Sequence, residues 1–468
     1  METVDLLVIG GGPAGYAGAL RGARKGLKTV LVEARDLGGT CLNRGCIPTK
    51  ALFKAQEVAH LVRRAQEFGV LGEYRGLDWA KVLERKKRVV RQLTGGVRLL
   101  LERAKVEVVQ GFAVFAGHRT VQVHQDGKVI REFQPRFVLL APGSRSAQLP
   151  VPGSDLPGVI DSEKALDLAE LPKSMVVVGG GVIGMEMACI FQGFGVFVEV
   201  IEMMPKILPP VDREVTDLLT RIVERQGMKV HVNAKVQEIR KAGEKLEVVY
   251  LENGVSRTAS GEYVLVAVGR VPATEGLGLE GMGIAMNQKA VVTDATLRTS
   301  LPWVYAPGDV NGKHLLAHVA YKEAEVAVQN ICGEHATIDY RVVPNCIFSF
   351  PEIASVGLTE DEAKAQGYRV RCGRFPFRAN GKALIEGEVE GFVKIVSDEK
   401  SGEILGVHII GPSASNLIGE GILAMGLEAT PQEIASAIHP HPTLSEAVME
   451  AAEAVFGSPL HFVEGGIR

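Results

Sequence analysis

Apolar residues fall along the chain in short runs of strand length, separated by longer helical stretches. Val4-Asp5-Leu6-Leu7-Val8-Ile9 is one such run and predicts a buried parallel strand. Gly10-Gly11-Gly12-Pro13-Ala14-Gly15 follows it and opens an alanine-rich helix over Tyr16 to Lys25. Gly26 ends that helix, and Thr29 to Glu33 makes the next strand. The same order returns at Ser174: a strand to Val178, then Gly179-Gly180-Gly181-Val182-Ile183-Gly184, a helix, and a strand from Phe197 to Glu202. Between the repeats, the charged stretch Trp79 to Arg103 predicts a solvated helix pair or hairpin. Strands are expected at Val106–Val109, Val121–Val123 and Phe137–Leu140, with a turn at Asp126-Gly127. Pro150 to Gly158 is rich in proline and glycine and marks a boundary. Strands continue at Lys229–Val232, Leu246–Tyr250 and Tyr263–Val268. From Arg341 the texture changes to short strands (Phe392–Val396, Gly406–Ile410) and then helices from Asn416, a separate α+β region.

Composition narrows the classes. A chain of 468 residues with 46% hydrophobic positions is long enough for about three domains with large cores. A formal charge of −3 gives no basic field for nucleic acid. No apolar run reaches the roughly 18 residues a membrane span needs. The first strand starts almost at the N-terminus, leaving no room for a signal peptide, and six cysteines in so long a chain do not make a secreted disulfide framework. A cytoplasmic protein is expected.

Both glycine runs fit a βαβ unit that receives a dinucleotide pyrophosphate at the helix N-terminus. Each is followed, at about the 20-residue spacing this unit requires, by an acid able to accept from a ribose hydroxyl: Glu33 and Glu202. Two dinucleotide sites are expected. Glu202 favours a free 2′-hydroxyl over a 2′-phosphate, hence NAD over NADP.

The stretch Gly39-Thr40-Cys41-Leu42-Asn43-Arg44-Gly45-Cys46-Ile47-Pro48-Thr49-Lys50 carries the most chemistry. In a regular helix, residues five apart are separated by about 7.5 Å along the axis. A disulfide needs Cα atoms within about 6.8 Å. If these thiols pair, the helix must be interrupted, and Gly45 supplies the backbone freedom. Pro48 suits the first turn of a following helix, which sets Cys46 at its N-terminal end, where a thiolate is favoured. The alternatives are two inert buried cysteines or half a metal site. Zinc is disfavoured because Cys189, Cys332, Cys346 and Cys372 are scattered singly, so no metal is expected. Asp309, beside Gly308, could take a sugar-like hydroxyl or be a turn residue. Leu316-Ala317-His318 opens a helix whose amino end could face an electron-rich ring. In His439-Pro440-His441-Pro442-Thr443-Leu444-Ser445-Glu446, a histidine held by a carboxylate would be an acid/base device; two incidental surface histidines are the other reading.

Taken in order, GGTCLNRGCIPTK, GGGVIGME, AVGRVPAT, YAPGDV, LAHVA and HPHPTLSE make the chain similar, over essentially its whole length, to the flavoprotein disulfide reductase family. It most resembles the branch that oxidises dihydrolipoyl groups. The resemblance implies an α/β fold with two Rossmann-like dinucleotide-binding domains, for FAD and NAD, plus a C-terminal α+β dimerisation domain. The implied boundaries are 1–149 for FAD, 150–272 for NAD, 273–344 completing the FAD domain, and 345–468 for the interface. Cys41 would be the interchange thiol and Cys46 the charge-transfer thiol. Lys50 would lie near the flavin, paired with Glu186. His441, oriented by Glu446, would be the acid/base, supplied from the partner of a homodimer; His439 would not be the base. Cofactor contacts would come from Gly10, Gly12, Pro13, Ala14, Gly15, Glu33, Gly39, Thr40, Lys50, Gly143, Ser144, Asp309, Leu316, Ala317 and His318. Gly179, Gly181, Val182, Ile183, Gly184, Glu202, Gly269 and Arg270 would supply others. The implied partner is a lipoylated acyltransferase or a glycine cleavage carrier protein. The competing expectations are an NAD(P)H-dependent reductase of another disulfide, and a non-catalytic flavoprotein that has no use for the cysteine and histidine groups together. Pro142, Pro307 and Pro440 depart from the family's usual turn residues without removing a reacting group.

Overall fold

The computed structural model describes residues 1–117 and 119–463. By compactness the chain divides into two units. The first combines residues 1–149, 160–171 and 268–338; the second combines 150–159, 172–267 and 339–468.

The first unit is built on one sheet in the strand order Glu107–Gln110, Thr29–Glu33, Glu2–Ile9, Lys128–Leu140, Val121–Gln125, Phe112–Phe115, with Val304–Tyr305 added alongside Lys128–Leu140. The strands around Glu2–Ile9 are parallel, and Leu6, Leu7 and Val8 are fully buried, as a strand covered on both faces requires. Helix Pro13–Arg24 starts at Gly12 with proline in its first turn, where a missing N–H costs nothing. It packs along helix Ala317–Ile331 on one face of the sheet.

The expected hairpin at Trp79 to Arg103 is one continuous helix of 25 residues. Asp78 caps it by accepting from the Lys81 N–H, and Gly95-Gly96 do not break it. Its core-facing positions Trp79, Lys86, Val97 and Leu101 bury one stripe and leave the charges outside. A strand at Phe112–Phe115, not expected from the sequence, pairs antiparallel with Val121–Gln125.

The second unit holds three sheets. A parallel one repeats the first unit's pattern, in the order Lys229–His231, Phe197–Ile201, Ser174–Val178, Tyr263–Val266. Beside it in sequence lies an antiparallel meander of Ala234–Ala242, Lys245–Glu252 and Val255–Gly261. The last is the antiparallel sheet Asn345–Ile347, Glu352–Gly357, Ile404–Gly411, Phe392–Asp398, Val370–Pro376, covered by helices Ala414–Gly426 and Glu446–Val455. Among the described residues no helix is long and apolar enough to cross a membrane.

Candidate active site

In the first unit, the cysteine stretch folds as two helices. Gly39–Arg44 carries Cys41, and Cys46–Arg63 begins at Cys46 itself. The break falls at Gly45, whose φ of −140° and ψ of −112° lie outside the helical region. All six cysteines, Cys41 and Cys46 included, are free thiols in this structure. The two side chains are hydrogen-bonding neighbours. The Cys46 sulfur is the leading influence that raises the Cys41 thiol well above its ordinary range; burial adds to this and the Lys50 ammonium opposes it. Lys50 follows one turn after Cys46 on the same helix, and Cys46 takes the helix N-terminal position that favours an anion.

This corner is pressed against the glycine loop. Gly39 has φ +60°, and a Cβ there would lie 2.6 Å from the Gly12 Cα. Only glycine permits that approach. A Cβ on Gly12 would meet nothing nearer than the Gly39 Cα at 3.8 Å, which leaves the loop open to a ligand. Glu33 is buried, with Oε2 accepting from the Gly11 N–H (2.6 Å) and Oε1 from the Arg35 N–H (2.6 Å). A carboxylate has about four acceptor positions, so two remain for ribose hydroxyls.

Further along, Asp309 and Ser144 share a short hydrogen bond, and Arg270 donates from Nε to the Ser144 hydroxyl and from Nη2 to its carbonyl, both at 2.7 Å. Gly143 and Gly269 flank these contacts in left-handed turns. Strands Ser144–Ser146 and Arg270–Pro272 pair here, so Arg270 belongs with Asp309 in the first unit. Glu323, which sequence reasoning missed, is fully buried on helix Ala317–Ile331. It accepts from the Gly308 N–H (2.5 Å) and the Asn311 side-chain amide (2.8 Å), fixing the turn that carries Asp309. That helix starts at Ala317 with no side-chain cap, and its amino end carries the positive end of the helix dipole.

The second unit repeats the nucleotide arrangement. The Glu202 carboxylate accepts from the Gly180 N–H (2.6 Å) and the Met204 N–H (2.8 Å), as Glu33 does in the first. A Cβ on Gly184 would meet the Gly179 carbonyl at 1.9 Å, whereas among the described residues, its chain neighbours aside, nothing would lie within 4 Å of one on Gly181. Helix Val182–Gly193 therefore packs tightly on its strand while its amino end stays open. Glu186 is buried on that helix and accepts from the Phe348 N–H (3.0 Å). Glu186 and Lys50 fall in different units.

The two histidines near the C-terminus separate by their partners. His439 is tied at both ring nitrogens, to the Ala437 carbonyl (3.0 Å) and Glu420 (2.8 Å), and so has none left for proton transfer. His441 is 77% exposed; its Nδ1 meets Glu446 at 2.9 Å, and its Nε2 makes no hydrogen bond among the described residues. Burial works to raise the Glu446 carboxyl, but the Thr443 N–H and His441 hold it below its usual range. An ionised carboxylate on Nδ1 leaves Nε2 as the working nitrogen. Among the described residues, no group of three or more His, Cys, Asp or Glu is placed to hold a metal ion.

Residues 4–324 match the family model described as pyridine nucleotide-disulphide oxidoreductase. The chain belongs to the pyridine nucleotide-disulphide oxidoreductase family. Residues 343–452 match that family's dimerisation domain. The dihydrolipoyl dehydrogenase of Bacillus subtilis is 43% identical, with 98% of this chain and 99% of that protein covered. The dihydrolipoyl dehydrogenase of Thermus scotoductus is also 43% identical, covering 99% of this chain and 100% of that one. Among solved structures, the Cu(II) complex of the HOCl-induced flavoprotein disulfide reductase RclA from Escherichia coli superposes with a TM-score of 0.88 at 28% identity, covering 97% of this chain and 99% of that one. LpdA from Mycobacterium tuberculosis gives the same TM-score at 29% identity, over 96% of this chain and 99% of that one.

Proposed function

We propose that the chain is a dihydrolipoyl dehydrogenase that oxidises the dihydrolipoyl groups of lipoylated proteins and reduces NAD+. The observation that carries the reading is the helix broken at Gly45, which sets Cys41 and Cys46 side by side against an open glycine loop. The first glycine loop, Glu33, the Ser144–Asp309 pair and the amino end at Ala317 would hold FAD. The second loop and Glu202 would hold NAD. FAD, when bound, takes two electrons from the dithiol and supplies the hydride that reduces NAD+.

The chain's own residues conduct the sulfur chemistry. His441 Nε2 removes a proton from a substrate thiol. The resulting thiolate attacks Cys41 Sγ, the Cys41–Cys46 bond breaks, and its electron pair leaves on Cys46. The exposed His441 passes that proton to solvent and then deprotonates the second substrate thiol, which attacks the substrate sulfur of the mixed disulfide. That attack closes the oxidised lipoyl ring and releases Cys41 as a thiolate. Glu446 keeps the imidazole in its working tautomer and stabilises the imidazolium. Lys50 stays beside the sulfurs as a positive charge. In the homodimer, His441 and Glu446 of one subunit would serve Cys41 of the other. The lipoylated acyltransferase of a 2-oxo acid complex, or a glycine cleavage carrier, is the proposed partner, and the cytoplasm the proposed location.

Steady-state oxidation of dihydrolipoamide by the purified chain tests this, with NAD+ and NADP+ compared. Turnover with NAD+ well above that with NADP+ is expected. Faster NADPH-driven reduction of a different disulfide would assign the chain to the reductases instead.

A further inference from the structure

Helices Pro13–Arg24 and Ala317–Ile331 are drawn together at Gly308, where a Cβ would lie 3.1 Å from the Ala14 Cβ and 3.4 Å from that of Ala320. Away from the cysteines, the pair is tied by Arg21–Glu325 at 2.9 Å. One turn nearer the glycine loop, the tie is of another kind. The hydroxyls of Tyr16 and Tyr321 are 2.5 Å apart, and their rings meet edge to face at 5.8 Å. Tyr16 is the first residue whose N–H bonds back to Gly12, and Gly12 is the residue that Gly39 abuts at the start of the Cys41 helix. Tyr16 and Cys41 pack against one and the same apolar cluster. Through Gly12 and Gly39 the tyrosine pair is tied to the start of the element that carries Cys41. Burial raises both phenols above their ordinary range, and negative charge on Cys41 and Cys46 adds to it, so both keep their protons.

Two hydroxyls carry two protons. One lies between the oxygens, and the accepting oxygen still has its own O–H, polarised by the bond it receives. We propose that the Tyr16–Tyr321 pair presents this one O–H to the Cys41 sulfur, stabilising the thiolate released when the substrate's second thiol closes the lipoyl ring. The proton stays on oxygen throughout, so no electrons or protons change hands at the pair. Such a donor has a task here, because the Cys41 thiolate is the one its surroundings oppose. Cys46 and Lys50 of the following helix act on Cys41, Lys50 being the charge that favours its ionisation, and the two tyrosines lie near enough to feel the charge of both sulfurs. The inference rests on the dihydrolipoyl reading.

A hydrogen bond to a charged group is worth enough that its loss slows the exchange about tenfold or more. The test uses the FAD-loaded holoenzyme and the variants Y16F, Y321F and Y16F/Y321F, each first measured for bound flavin. Anaerobic single-turnover reduction of the flavin by dihydrolipoamide should slow about tenfold in the double variant. The pH midpoint for alkylation of Cys41 by iodoacetamide in the reduced enzyme, read by peptide mass mapping, should move upward. The double variant should also lose little more than the worse single one, because the pair presents one proton. A double variant with parental reduction rate and parental alkylation midpoint overturns the proposal while leaving the dehydrogenase reading intact. Failure of the parent enzyme itself to accept electrons from dihydrolipoamide removes that reading first.

Discussion

Lys394 is the sharpest place to perturb the second unit. Its side chain is 1% exposed on strand Phe392–Asp398, and its ammonium meets Asp212 at 2.9 Å, Glu214 at 2.7 Å and Glu360 at 2.8 Å. Arg374 braces Glu214 and Glu360 from the neighbouring strand, at 2.6 and 2.8 Å. Replacing the lysine by methionine keeps the bulk and leaves three carboxylates sharing one guanidinium and the peripheral Lys364. Breaking a buried ionic group this way costs roughly 3–5 kcal/mol. The carboxylates give a second measure. Burial would raise Glu360, but Lys364 and Lys394 hold it at about 2 against an ordinary 4.5. That fall corresponds to about 3 kcal/mol. Solvent around a side chain 20% exposed reduces it to about 1–2 kcal/mol for this one group. Asp212 and Glu214 are lowered as well, with burial opposing for Asp212 and Arg374 leading for Glu214, so the total stays in the range of a broken buried group. Differential scanning calorimetry of the full chain at pH 7 should find the K394M midpoint lower by roughly 3–5 °C. The sign with pH follows from the depressed carboxylates. Their stabilisation is complete above about 4.5 and is lost as pH falls toward about 2. The gap between parent and K394M should therefore close below about pH 4. A variant within about 1 kcal/mol of the parent at pH 7, or a gap that stays constant down to pH 3, would show that Lys394 does not stabilise the fold through these carboxylates.

Three further outcomes are expected. H441A should retain FAD and turn over artificial electron acceptors with NADH, yet lose dihydrolipoamide oxidation by roughly 100- to 10,000-fold; full lipoyl turnover in this variant removes His441 from the mechanism. G39A should lose bound flavin, since φ +60° and a Cβ 2.6 Å from the Gly12 Cα must push the two loops apart; an absorbance ratio of flavin to protein equal to the parent's would contradict this. C46S should abolish the long-wavelength thiolate–flavin absorption on reduction, whereas a band that persists would exchange the roles given to the two thiols.

What could be read from the chain in advance was what local spacing controls. Each glycine run and its acid lie within one βαβ unit, so Glu33 and Glu202 were legible before any fold, whereas the pairing of His441 with Glu446 came from the family resemblance and not from spacing. The need for a break between Cys41 and Cys46 was also readable, because helix geometry separates residues five apart. The single helix at Trp79–Arg103 was not, since paired glycines suggest a turn. Tertiary burial of Trp79, Lys86, Val97 and Leu101 overrides that weak local preference. Groups assembled from distant segments left no trace in the pattern. Tyr16 and Tyr321 look like ordinary helix residues until their helices are packed together. Lys394 sits in an apolar strand and reveals its role only once Asp212, Glu214 and Glu360 converge on it from other elements. Glu323 reads as one more charge on a helix, and only the turn at Gly308–Asn311 explains its burial.

The proposed chemistry requires an electron path between nicotinamide and the Cys41–Cys46 couple, and counting thiols follows that path directly. Purified holoenzyme, denatured and titrated with a chromogenic disulfide before and after anaerobic exposure to NADH, should gain two thiols per chain. An unchanged count from a flavin-loaded preparation would mean that the couple does not exchange electrons with the bound nucleotides.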